Sequence, residues 1–176
     1  MSSANKNKIF EIFVFQLIKW YNSCTSTQAN LESFTKLKLQ KLLFLLSAST
    51  ATIQNKKLLN IFDNFYAMPY GPVESDIYNA MIHNSFEHIS FVNGYIKITK
   101  GLTIDSFSYE TELIQEAISF IKNENPKLIL YTAAQLVEIT HKWTSWKYTF
   151  DIANLRKKGS EKMDISSICN DCKIYE

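Results

Sequence analysis

The chain has 176 residues, a formal net charge of +2, 46% hydrophobic residues and 14% aromatic ones. That length fits one domain able to bury roughly two-thirds of its unfolded surface, and the composition excludes a disordered chain. The near balance of charge gives no argument for nucleic acid, and no run of about 18 apolar residues is present to span a membrane.

Residues 1–8 are polar and read as an N-terminal tail, followed by a single domain over 9–176. Ile9, Ile12, Phe13, Leu17 and Trp20 recur at helical spacing, with Phe10, Val14 and Ile18 beside them, so a deeply packed helix is expected over Ile9–Tyr21. Glu11, Gln16 and Lys19 interrupt that stretch and break a signal-peptide pattern, which makes a cytoplasmic protein the expectation. Residues 22–33 are polar and mark a loop. Ser33 or Thr35 can cap the next helix, from Lys36 to about Thr52. Leu39, Leu42, Leu43 and Leu46 form its inner face. Lys38 and Lys41 share another side, either a solvated face or a basic contact strip.

Leu58–Met68 is rich in Phe and Tyr and reads equally as strand, irregular chain or helix. Tyr70-Gly71-Pro72-Val73 follows, in a chain with only four glycines and three prolines. Gly71 can take backbone angles closed to other residues, and Pro72 suits a first helical turn. With Glu74 and Asp76 behind them, the reading is a sharp corner into a helix running to about Asn84. Ile89–Ile98 holds Asn93-Gly94 between two β-prone runs, the signature of a hairpin with a type I′ turn. Further helices are expected over Tyr109–Asn123 with Leu113, Ala117, Phe120 and Ile121 inward, over Ala133–His141 behind a Thr132 cap, over about Ser145–Leu155, and from Asp164 to near Cys172. The fold class is therefore mainly α: a compact single-domain bundle of about six or seven helices with one small β-hairpin near 89–98.

The three cysteines, Cys24, Cys169 and Cys172, argue against a disulfide framework. Cys169 and Cys172 form a lone CxxC, and zinc needs about four ligands, so no metal is expected there. No phosphate-binding glycine loop, HExxH or GxSxG is present, and no carboxylate pair stands out for acid–base work, so neither a catalytic residue nor a cofactor is expected. His141 lies at a helix end, where it reads as structural, as a partner contact or as a catalytic group. Trp143, Trp146 and Tyr148 read as core or as a binding surface. A winged-helix DNA reader is a further possibility, opposed by a 73–84 helix that has no lysine or arginine and an acidic start.

Three blocks, Lys36–Phe44, Phe65–Tyr78 and Leu136–Trp146, together resemble the Panacea (SocA-like) domain by their order and spacing. Phe44 stands where the family usually has tyrosine, and Met68 precedes Pro69 where a tryptophan and a polar residue are common. The resemblance implies an antitoxin that neutralises a cognate toxin by direct protein–protein binding, without chemistry of its own. Its alternatives are an adaptor that hands the toxin to a protease, or a DNA-binding regulator. Matching the family's recurring positions, Lys38, Lys41, Gly71, Pro72, His141 and Trp146 are candidate partner-binding residues; Tyr70 and Trp143 join them from the reading of this sequence, with Lys38, Lys41, Tyr70 and His141 expected as the part-exposed members. The toxin's identity and the oligomeric state stay open.

Overall fold

The computed structural model describes residues 3–25, 30–103 and 108–176; Met1 and Ser2 of the expected tail and residues 26–29 of the expected loop lie outside that range. The first helix, α1, spans Ser3–Cys24. It starts well before Ile9, so what reads as a tail is, from residue 3 on, the opening turns of a packed helix. Lys6 is the cause. It is buried against three carboxylates from later in the chain, partners that a local reading of polar residues cannot supply. The expected loop is shorter than 22–33, because α1 reaches Cys24 and a 3-10 turn forms over Leu31–Ser33.

Helix α2 (Lys36–Ser49) is capped by Thr35, whose hydroxyl accepts from the Lys38 N–H. Every residue from Lys38 to Ser49 is buried. A helix enclosed on all sides is the axis of a fold rather than its surface. The expected side bearing Lys38 and Lys41 in solvent or against a partner therefore does not exist, since both lysines are inside.

After a 3-10 turn at Lys57–Asn60, strand β1 (Phe65–Met68) pairs antiparallel with β2 (Gly71–Glu74), Phe65 opposite Glu74 and Met68 opposite Gly71. The sequence reading placed Pro72 in a helix. The structure places it in an edge strand, another position where a missing N–H is harmless. Helix α3 (Ser75–His83) begins only after Glu74, whose side chain accepts from the Ile77 N–H, and it ends at Asn84 with φ of 48°. The second hairpin, β3 (Ile89–Val92) with β4 (Tyr95–Ile98), turns through Asn93 and Gly94 at φ of 52° and 85°. Both positive angles suit the type I′ turn read from the sequence.

Helix α4 (Tyr109–Glu124) is capped by Ser108, and Ile114 and Ile118 join the expected inner residues. Phe120 is the exception at 37% exposed; it packs edge-on against Tyr175 at the rim. Thr132 and Gln135 form a reciprocal capping box at the start of α5 (Ala133–His141). Then come α6 (Thr144–Leu155), strand β5 (Glu161–Lys162) and α7 (Ile165–Asn170), capped by Asp164. Strand β5 pairs with the free side of β1, which completes a three-stranded sheet in the order β2-β1-β5. The described residues are mainly α, with seven helices, as expected, and this second small sheet is the addition. Among the cysteines, Cys169 packs in the core while Cys24 and Cys172 are exposed, all three as free thiols.

Candidate functional site: a braced hairpin

The β1–β2 connection is two residues, Pro69 and Tyr70, between the paired Met68 and Gly71. Gly71 sits at φ of +89°, a region that disfavours any side chain. Space forbids one as well: a Cβ there would lie 2.5 Å from Thr140 Oγ1 and 3.1 Å from Lys41 Nζ. The hairpin thus lies directly on α2 and α5, backbone against side chain.

From the α2 side, the fully buried Lys41 donates from Nζ to the Pro72 carbonyl at 2.6 Å. Burial lowers its pKa to about 7, because an enclosed ammonium loses its hydration. The preceding residue, Gln40, treats Glu74 as a neighbouring strand would. Its Oε1 accepts from the Glu74 N–H at 2.8 Å, and its Nε2 donates to the Glu74 carbonyl at 3.4 Å. Lys38 turns elsewhere, with its ammonium over the rings of Tyr21 and Phe34 and its pKa lowered by burial to about 8.

From the α1 side, Lys6 Nζ meets Glu74 Oε1 at 2.9 Å, Asp63 Oδ1 at 2.9 Å and Asp76 Oδ2 at 2.6 Å. Burial works to lower the Lys6 pKa, but its bonds to Asp76, Asp63 and Glu74 outweigh that and raise it. Glu74 is itself raised: complete burial outweighs the Ile77 N–H and the Lys6 ammonium, which both favour the carboxylate. Asp63, Glu74 and Asp76 hold their oxygens within 4.8 Å of one another, a spacing that would suit a metal ion. Here the Lys6 ammonium bonds to all three.

From the far end of the chain, the Trp146 indole N–H donates to the Met68 carbonyl at 3.1 Å. His141 stacks on Trp146 with ring centroids 4.0 Å apart, and Phe150 stacks on Trp146 at 5.2 Å. The His141 pKa is lowered, first by burial and also by the charge of Lys41, against the opposing influence of Glu138 and the Pro69 carbonyl. Neutral imidazole is thereby favoured beside the turn. Trp143, by contrast, serves the core: its ring meets Phe44 edge-on at 4.9 Å and its N–H goes to the Ile174 carbonyl.

Burial therefore divides the expected contact residues. Lys38, Lys41, Gly71, Pro72, Trp143 and Trp146 are inside, His141 is half-buried, and Tyr70 stands 70% exposed. Lys41, Gly71, Pro72, His141 and Trp146 converge on the hairpin; Lys38 and Trp143 do not. Gln40, Glu74 and Lys6 complete the brace, and sequence reasoning missed their roles. The signal for Gln40 was available, as an uncharged polar residue among the leucines of α2.

These features define a class: a small helical scaffold in which several buried polar groups, Lys6, Gln40, Lys41 and Glu74 among them, hold one surface hairpin. The chain belongs to the antitoxin SocA-like, Panacea domain family, whose family model matches residues 39–147. That span contains α2 from Leu39, the hairpin, α5 and the start of α6, and thus the brace apart from Lys6 of α1. At the family level the role is in toxin–antitoxin systems. No curated protein and no solved structure gives a match. No described helix is long and apolar enough to cross a membrane.

Proposed function

We propose that this protein neutralises a cognate toxin by direct binding, without chemistry of its own, and that Tyr70 at the hairpin tip anchors the contact. The observation that carries the reading is the brace: Lys41 and Gln40, Lys6, and Trp146 with His141 come from three distant parts of the chain to fix a two-residue turn. At that turn Tyr70 is 70% exposed. Tyrosine is a frequent interface hot spot, and a tip held rigid loses little entropy on binding. The buried residues of the expected set act by holding this tip rather than by touching the partner.

The test is co-expression with the product of the adjacent reading frame. The wild-type chain restores growth against it, and Tyr70→Ala weakens the purified complex by about 30-fold while leaving thermal stability unchanged. A harmless neighbour sinks the toxin reading. Full binding by Tyr70→Ala removes the tip from the interface. Loss of the toxin from cells through proteolysis on co-expression would instead support delivery to a protease.

A further inference from the structure

We infer that the outer face of α6 docks an amphipathic helix of a partner protein whose apolar stripe is flanked by carboxylates. By helical spacing this face lies roughly opposite Trp146, the α6 residue that holds the hairpin, and the inference holds whether or not the partner is a toxin.

Helix α6 is apolar on two sides. Ser145, Trp146, Thr149 and Ala153 face the interior. On the outside, Tyr148 is 68% exposed, Ile152 is half-buried and Leu155 is 84% exposed. Their i, i+4, i+7 spacing lines them along one stripe. Leu155 is the most exposed large hydrophobic among the described residues, so the fold gains almost nothing from it. A linear stripe over two helical turns matches another helix laid along it, which is the usual apolar-stripe geometry of helix recognition.

The charge around the stripe selects the partner. Lys147 and Lys157 have no carboxylate within ion-pair distance among the described residues, and Arg156 and Lys158 share a single one, Glu161. Asp151 is the one exposed acid on the helix itself. The rim is therefore positive, which favours acidic flanks on the occupant. The same charge disfavours a second copy of this chain, since two such faces would oppose like charges. A nucleic acid would use the lysines but leave Ile152 and Leu155 without an apolar partner.

Two synthetic helical peptides test this on the full chain, both carrying leucines at i, i+4 and i+7, one flanked by glutamates and the other by lysines. Fluorescence anisotropy should show the glutamate peptide binding about tenfold more tightly. Tyr148→Ala with Leu155→Asp should abolish that binding without shifting the melting temperature, and Lys147→Glu with Lys157→Glu should reverse the preference between peptides. Tyr70→Ala should change nothing, which separates this face from the hairpin. The inference is overturned if neither peptide binds, if flank charge makes no difference, or if Leu155→Asp is without effect. It is equally overturned if the face mediates self-association in sedimentation, or binds duplex DNA through Lys147 and Lys157 independently of Leu155.

Discussion

At position 71 two separate demands fall on one residue. The backbone needs φ of +89°, and the space a side chain would fill already holds Thr140 Oγ1 and the Lys41 ammonium. The first demand costs an alanine about 1 kcal/mol, and the second adds a contact closer than atoms tolerate. Gly71→Ala is expected to destabilise the fold by about 3 kcal/mol in urea unfolding. Thr140→Ala in the same chain should recover most of the steric part and leave the backbone part. A double-mutant cycle reads this as strong coupling. If the two substitutions simply add, Thr140 is not what excludes a side chain here. The need for a glycine at this point was legible from its rarity beside Pro72, but its neighbour across the gap was not, because Thr140 lies far along the chain and no local pattern links the two.

Among the elements, β2 is the one whose stability depends on a borrowed partner. It pairs with β1 on one side, and on the other the Gln40 side chain meets both backbone groups of Glu74. Gln40→Leu keeps the volume but strands a buried N–H and a buried carbonyl, each costly when left unmade. A loss of about 2–4 kcal/mol is expected, with the Glu74 amide becoming one of the fastest-exchanging of the hairpin in hydrogen exchange. A protected Glu74 amide in this variant would show that the strand does not lean on Gln40. The two hairpins also show what a sequence can reveal. Asn93-Gly94 encodes its turn locally, and β3–β4 appears where it was read. Gly71-Pro72-Val73-Glu74 satisfies the local rules for a helix start equally well, since Pro72 and the acids suit a first turn. What decides for strand is pairing to β1, with β5 added from residues Glu161 and Lys162 nearly a hundred positions later. Helix α2 was placed correctly and its exposure was not: an apolar face was visible, but not that every other face is covered too. The brace was legible only as scattered family-like blocks, whose convergence is a property of the folded chain.

For the molecule as a whole, the enclosed lysines set how stability varies with pH. Burial lowers Lys41 to about 7 and Lys38 to about 8, while the unfolded chain keeps both protonated up to the ordinary lysine value of 10.5. Between these limits the unfolded state binds more protons than the folded one, so stability rises with pH. Lys6 acts in the opposite sense, because its pKa is raised; its contribution is complete below 10.5 and is lost only above it. Tyr175, raised by burial, likewise withdraws its contribution only above its ordinary value of 10.0. His141, with a lowered pKa, adds stability above its ordinary value of 6.5 that is lost as the solution is acidified. The urea midpoint should therefore climb from neutral pH to a maximum a little above pH 10, where Tyr175 and Lys6 begin to withdraw their contributions, an alkaline optimum unusual for a chain of nearly balanced charge. Lys41→Met removes the group with the larger shift, so its profile over the same range should be flatter, with the remaining slope due to Lys38 and to Lys173, which burial also lowers. At neutral pH this variant also escapes the cost of enclosing an ammonium, in exchange for leaving the Pro72 carbonyl without its donor. A wild-type profile that is level from pH 7 to 9.5, or a Lys41→Met profile just as steep, would mean that Lys41 is hydrated rather than enclosed, and the α2 side of the brace would then have to be redrawn.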